Sequence, residues 1–494
     1  MVAVATAVPR DRQRALGQFL TAAPLAEFMA AMFEPLPSIV RLLDAGAGAG
    51  ALTSAFVSRL CEGIDGVRAV EVTLYELDPL ILRALDETMR ECERRCAVAG
   101  IRFTFTVHTS SFVEDVSKRL RGGLFETSPP QFDAAIVNPP YRKIGTDSVE
   151  RRALHSIGVE TSNLYTGFIA LIHRLLVPGG QIVAITPRSF CNGPYFRTFR
   201  EDFLSEVELR RIHVFESRHA AFQDDNVLQE NIIFHGVKGT TPPAEMTISS
   251  SSGKHGDAVS EMVIPFDQVV HPRDAERFIH IPSGASHAAV KRTMDGLHSS
   301  LAALGLTVST GRVVDFRLKE DIRKDPEPGT VPLIYSCHFN GNSICWPKTD
   351  ARKPNAIVDN SRTRPWLVPK GMYVLTKRFT SKEEPRRLVA CLLDPDHIDA
   401  EWIGLENHLN YFHSNGQGLE PILAMGLYAY LNSTVVDQYF RRFSGHTQVN
   451  ATDLRSVPYP ELGTLRAIGS YMPNFNISQD AIDELVGGHL HASR

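Results

Sequence analysis

The stretch Leu42-Leu43-Asp44-Ala45-Gly46-Ala47-Gly48-Ala49-Gly50 lies between an apolar run, Val40–Leu43, and a helix-like segment, Leu52–Cys61. The run reads as a strand and the glycines as the turn that leaves it. Glycines there let the backbone turn sharply and approach a ligand closely, which makes Asp44, Ala45, Gly46 and Gly48 candidate contacts. Glu76 follows in Leu74-Tyr75-Glu76-Leu77-Asp78-Pro79, at the end of the next predicted strand. An acid at that place can accept both ribose hydroxyl hydrogens, with Leu77 beside it. Loop plus acid fits a nucleoside cofactor. It does not by itself separate a dinucleotide from S-adenosylmethionine.

Outward from this turn the pattern continues. Val70–Tyr75, Arg102–Val107, Phe132–Val137, Gln181–Ile185, Leu209–Phe215 and Asn231–Phe234 read as strands. Leu80–Cys96, Leu164–Leu176 and Tyr195–Leu204 read as helices, and Leu164, Phe168, Leu171, Ile172 and Leu175 share one face at 3–4 spacing. Such alternation implies an α/β fold with a parallel, doubly wound sheet. The last two strands lack a long helix between them, so an antiparallel hairpin at the sheet edge is expected. Residues 1–240 form this domain, 241–284 a Ser/Thr/Pro-rich transition, and 285–494 a mixed α+β domain.

Ile136-Val137-Asn138-Pro139-Pro140-Tyr141 follows the fourth strand, at the carboxyl edge where open α/β sheets bind ligands. Two prolines rigidify the backbone and fix the Asn138 side chain and the Pro139 carbonyl. The chemistry that needs this is methylation of an exocyclic amine. Its lone pair is delocalised into an aromatic ring, so the nitrogen is a poor nucleophile. Two acceptors, one N–H each, hold it pyramidal and in line with a methyl sulfonium. Tyr141 would stack on the substrate ring.

Glycine loop, ribose acid and Asn-Pro-Pro-Tyr, in that order, resemble the gamma-class N6-adenine DNA methyltransferases. Leu16-Gly17-Gln18-Phe19-Leu20-Thr21-Ala22-Ala23-Pro24 looks like their N-terminal cofactor motif, which brings in Thr21. Thr161-Ser162-Asn163-Leu164-Tyr165 and Pro187-Arg188-Ser189-Phe190-Cys191-Asn192-Gly193-Pro194-Tyr195-Phe196 look specifically like the PstI/BsuBI-type modification methylases. The resemblance implies a Rossmann-like domain that binds S-adenosylmethionine and a C-terminal target-recognition domain. It implies methyl transfer to N6 of an adenine flipped out of duplex DNA, as the modification half of a type II restriction–modification system. Phe222, in Ala221-Phe222-Gln223-Asp224-Asp225-Asn226-Val227, matches the aromatic that stacks opposite the catalytic Tyr. After the third strand the family often has Asp-Phe; here the best match is Ser110-Ser111-Phe112, so Ser111 and Phe112 are the candidate contacts to the cofactor's adenine.

Composition bears on the partner. Lys+Arg is 52 against Asp+Glu 56, a formal charge of -4, which excludes a polybasic coat protein. The charge is uneven: residues 341–390 hold eleven Lys/Arg and four Asp/Glu, a balance of +7. Lys377, Arg378, Lys382, Arg386 and Arg387 in that segment are candidate DNA contacts. His446, Gln448 and Asn450, in Ser444-Gly445-His446-Thr447-Gln448-Val449-Asn450-Ala451-Thr452-Asp453-Leu454, resemble part of a methylase recognition loop. Asn410, Tyr411, His413 and Asn415 form another polar–aromatic stretch. Scattered His without Cys or acid partners at ligand spacing argue against a metal. The seven cysteines are odd in number and scattered, which suits a reducing cytosol. No stretch of ~18 apolar residues predicts a membrane span. A monomer acting in the bacterial cytoplasm, paired in function with a cognate restriction endonuclease, is expected. The other readings are an RNA-adenine or protein-glutamine N-methyltransferase using the same tetrapeptide, a DNA-binding subunit with a degenerate methylase fold, and a fused nuclease–methylase. Only about 15 residues precede the first motif, too few for a nuclease domain.

Overall fold

A computed structural model of the chain describes residues 21–63, 66–122, 129–215, 230–252, 258–272, 274–281, 287–380, 384–443, 448–472 and 477–492. The chain divides into two compact units, residues 1–281 and 282–494.

In the first unit the elements run α1 (Ala23–Ala31), β1 (Ile39–Ala45), α2 (Ala51–Cys61), β2 (Ala69–Tyr75), α3 (Leu82–Val98), β3 (Arg102–His108), α4 (Phe112–Arg121), β4 (Phe132–Val137), α5 (Val149–His155) and α6 (Leu164–Leu175). They continue with β5 (Leu176–Pro187), α7 (Arg197–Glu206), β6 (Val207–Phe215), β7 (Asn231–Lys238), β8 (Glu245–Ser251) and β9 (Ser260–Pro265). The nine strands form one sheet in the order β3-β2-β1-β4-β5-β7-β6-β8-β9. The pairs among β3, β2, β1, β4 and β5 are parallel, and β7 runs antiparallel to both β5 and β6. Strand order reverses between β1 and β4, the place where such sheets open a crevice for a ligand. Arg41 locks this point, pairing with Asp133 through its backbone N–H and its guanidinium at 2.9 Å each. Each sheet face carries its own apolar core: Leu42, Val70, Ile136 and Ile185 on one, Leu43, Ala135, Ile182 and Ile232 on the other. The doubly wound α/β fold is therefore observed.

Three differences from the sequence expectation have identifiable causes. Within 241–284, residues 245–251 and 260–265 belong to the sheet and not to a linker: β8 pairs in parallel with β6, and β9 folds back on β8. The Ser and Thr residues, whose composition fits a loop or a weak strand pair, interleave with Met246 and Ile248, which are buried. The hairpin of β6 and β7 is thus interior to the sheet, not its edge. Third, α4 was unforeseen although its start is written locally. The Ser111 hydroxyl accepts the Glu114 N–H at 3.4 Å, with Glu114 and Asp115 in the first turn and Lys118, Arg119 and Arg121 in the last. Ser-x-x-Glu, with acids in the first turn and cations in the last, is a helix signature.

The second unit holds a six-stranded and a five-stranded sheet followed by helices, including the buried Pro421–Asn432. Among the described residues no helix is long and apolar enough to cross a membrane. Among them, too, no group of three or more His, Cys, Asp or Glu is placed to hold a metal ion.

Candidate active site

The glycine loop is held from two sides. The Gly46 and Ala47 N–H groups both donate to the Tyr75 carbonyl at 2.9 Å, tying the end of β1 to the end of β2. Gly46 has φ +83°, and a Cβ there would meet nothing closer than 3.9 Å. Its dihedral, not its space, calls for glycine. The Gly48 N–H donates to Glu76 at 2.8 Å, and the other Glu76 oxygen accepts the Asp78 N–H at 2.7 Å. Burial raises the Glu76 pKa, and these backbone bonds oppose it. Asp44 closes the base of the loop. It is fully buried, takes the Thr53 hydroxyl at 2.7 Å, and burial pushes its carboxyl up to about 7.

The loop opens on a cleft continuous with solvent. Gly46, Gly48, Glu76, Leu77, Ser111, Phe112, Asn138 and Pro140 line it, so eight residues proposed from sequence meet in one place. Ala45 lies under the loop at the end of β1. The Asn138 amide Nδ2 donates to the Thr21 hydroxyl at 3.1 Å, joining two motifs 117 residues apart. Ser111 both lines the cleft and caps α4; the acid on that first turn, Asp115, instead takes the Tyr75 hydroxyl at 2.7 Å. Sequence reasoning missed Tyr75, Arg142, Glu150, Leu164 and Phe168 as lining residues. Phe168 was visible only as part of an apolar helix face. It reaches the cleft because α6 packs its ring 4.9 Å from Phe112. Arg142 pairs with Glu150, an acid eight residues on, which the sequence alone did not connect.

Tyr141, half-buried, donates its hydroxyl to the Ile185 carbonyl at 3.1 Å. Residues just past it are stitched to the start of α6: Leu164 N–H to the Arg142 carbonyl at 2.9 Å, and Ile144 N–H to the Ser162 carbonyl at 2.8 Å. Phe222 lies outside the described residues.

In the second unit three proposed segments converge. The Arg378 N–H donates to the His408 carbonyl at 2.9 Å, and its carbonyl accepts the Val449 N–H at 2.7 Å. Asn410 Nδ2 donates to the Val449 carbonyl at 2.8 Å, and Phe379 pairs with Gln448 as an isolated bridge. Lys377 and Arg378 are half-buried, with Lys377 over the Phe339 ring at 5.9 Å and Arg378 over Phe379 at 5.9 Å. Two assignments change. Arg387 is only 2% exposed; its guanidinium serves the Thr380 carbonyl and hydroxyl, and its N–H serves Asp437 at 2.7 Å. It is a core residue and not a phosphate contact. Asn450 is the cap of the helix Ala451–Arg455, its N–H bonded to Asp453 at 2.9 Å. Arg386 is half-buried and donates to the Ser433 carbonyl at 2.9 Å. The local charge also shrinks. Lys353, Arg362 and Arg364 pair with Asp315, Glu320 and Asp359 at 2.8, 3.0 and 2.6 Å. Two of these acids lie outside the 341–390 window. Lys382 and His446 lie outside the described residues.

Comparison with known proteins agrees with this geometry. A family profile described as Eco57I restriction-modification methylase matches residues 105–222. The chain is 42% identical to type II methyltransferase M.PstI of Providencia stuartii, over 96% of this chain and 93% of that protein. It is 43% identical to type II methyltransferase M.BsuBI of Bacillus subtilis, over 95% and 92%. Over 153 residues, 31% of this chain and 54% of the other, it is 29% identical to a tRNA1(Val) (adenine(37)-N6)-methyltransferase of Shewanella sediminis. Methyltransferase relatives over nearly the whole chain, and a cleft whose glycine loop and Glu76 suit a nucleoside, together identify the cofactor as S-adenosylmethionine. The chain belongs to the type II methyltransferase family of restriction–modification systems that includes M.PstI and M.BsuBI.

Proposed function

We propose that the protein methylates N6 of an adenine in duplex DNA, as the modification enzyme of a type II restriction–modification system. The observation that carries this is Asn138: it lines the cofactor cleft at the end of β4, with its amide donor engaged by Thr21. That engagement orients the amide so that its oxygen is the acceptor end. The Asn138 oxygen and the Pro139 carbonyl then take one adenine N–H each and hold the nitrogen pyramidal. S-adenosylmethionine supplies the electrophilic methyl when bound. Tyr141 stacks on one face of the flipped base, and the resemblance assigns the other face to Phe222. No strong base is needed, because the amine proton becomes acidic once the methyl has transferred.

The second unit is the proposed DNA-reading part. Lys377, Arg378, Phe379, His408 and Gln448 lie on one convergent patch, where cations can meet phosphates and side chains can meet base edges. The enzyme works as a monomer in the bacterial cytoplasm, beside an endonuclease that cuts the same target. A second reading, RNA adenine methylation, draws on the likeness to the tRNA methyltransferase, which covers less than a third of this chain. Incubation with methyl-labelled S-adenosylmethionine and DNA, tRNA or protein separates them. Label is expected in duplex DNA; label only in tRNA or protein would overturn the proposal.

A further inference from the structure

Of two segments singled out in the sequence, 161–165 and 187–196, only Leu164, which lines the cleft, and Ser162, which holds Ile144, have been placed so far. The two segments meet behind Tyr141. Tyr165, on the first turn of α6, is buried, and its ring stands edge-on to Tyr141 with centroids 6.3 Å apart and planes at 83°. Its hydroxyl is 3.0 Å from the Ser189 hydroxyl. Ser189 lies on the short turn Arg188–Cys191 that leaves β5. The same strand end supplies the Ile185 carbonyl that takes the Tyr141 hydroxyl. Phe196 closes the other side of Tyr165 at 5.8 Å. Tyr141 is therefore fixed twice from the end of β5, once directly through Ile185 and once through Ser189 and Tyr165.

A stacking tyrosine works only if its plane is already set when the base arrives; otherwise each turnover must order it. A tyrosine buried in apolar surroundings normally finds a partner for its hydroxyl, and here that partner is one residue type at one place. We infer that Tyr165 and Ser189 form a positioning pair that sets the plane of the Tyr141 ring for the target base. The inference rests on the proposed role of Tyr141 as the base-stacking residue. Neither residue touches the substrate; both act through Tyr141.

The test uses the full-length enzyme with Tyr165→Phe, Ser189→Ala and the double variant. Single-turnover methylation and S-adenosylmethionine binding are measured, together with fluorescence of 2-aminopurine placed at the target base. One lost hydrogen bond predicts a fall in the methyl-transfer rate of about three- to tenfold for each single variant. The double variant should fall no further, because both changes remove the same bond. Cofactor affinity should stay unchanged while the fluorescence of the flipped base shifts, a pattern a merely structural defect would not give. Unchanged rate and fluorescence in Tyr165→Phe would overturn the pairing. So would multiplicative losses in the double variant, or weakened cofactor binding in the singles. Tyr141→Ala separates the two levels. If it loses methylation while Tyr165→Phe does not, only the positioning role fails. If Tyr141→Ala methylates normally, the stacking role and the pair fail together.

Discussion

In the first unit four consecutive residues, Asn138 to Tyr141, stand at the end of β4 and carry the proposed chemistry. In the second, eleven cations spread over residues 341–390, and five of them, Lys377, Arg378, Lys382, Arg386 and Arg387, were the expected DNA contacts. The four stand together at the strand end, with Asn138 and Pro140 lining the cleft, whereas the eleven divide. Arg387 is buried, Lys353, Arg362 and Arg364 are ion-paired, and Lys377 and Arg378 stay half-exposed on the convergent patch. The difference teaches what decides each kind of residue. A rigid loop at a parallel strand end is placed by covalent sequence and topology. Whether a cation is available to a phosphate depends on partners that fold in from elsewhere.

The comparison can be broken at either end. Asn138→Ala should lower methyl transfer by on the order of 100-fold or more while retaining cofactor binding, read in single turnover and by titration calorimetry. Arg387→Ala should act on the fold. A loss of about 2–4 kcal/mol in unfolding free energy is expected, because a buried side chain is removed and the Thr380 acceptors are left unsatisfied; a normal melting curve with weakened DNA binding would restore Arg387 as a contact.

Acid should weaken the first unit through two buried histidines on its sheet, His213 and His235. Burial pushes each pKa down to about 4 from the ordinary 6.5. The unfolded chain then binds more protons than the folded one below pH 6.5, so stability falls as pH drops from 6.5 towards 4. The two histidines together cost about 5 kcal/mol over that window, and protonation of Asp44, raised to about 7, offsets about 3 of it, so a net loss of about 2 kcal/mol is expected in denaturant melts at several pH values. Gly50→Ala tests how tightly the glycine loop is built. Gly50 has φ +84°, and a Cβ there would lie 3.0 Å from both Leu85 and Met89. The cost should be about 1–3 kcal/mol of stability together with weakened cofactor binding. The smallest effect belongs to Lys377→Ala: DNA affinity should fall a few-fold, with the slope of log affinity against log salt reduced by about 1 and the melting curve unchanged.

Most of the first unit was legible because its signals are short-ranged. β4 spans Phe132–Val137 as expected, and the loop glycines fall at positive φ. Glu76 and Gly48 meet because parallel neighbours bring their carboxyl ends together. Helix α4 was equally local and was overlooked, since Ser111 was weighed only as a cofactor contact. A loop or a weak strand pair were both open for residues 238–255, but the joining of β8 and β9 to the sheet was not legible. Those strands are held by pairing with β6, and their Ser and Thr side chains carry no apolar alternation strong enough to announce it. Arg387 was illegible for a related reason: Thr380 lies seven residues away, but Asp437 lies 50.

The nucleoside composition of treated DNA bears most directly on the central claim. Unmethylated duplex DNA would be incubated with the protein and S-adenosylmethionine, digested to nucleosides, and resolved by mass spectrometry. N6-methyladenine is expected, absent when Asn138→Ala replaces the wild-type protein. N4- or 5-methylcytosine in its place, or N6-methyladenine undiminished in the Asn138→Ala reaction, would contradict it.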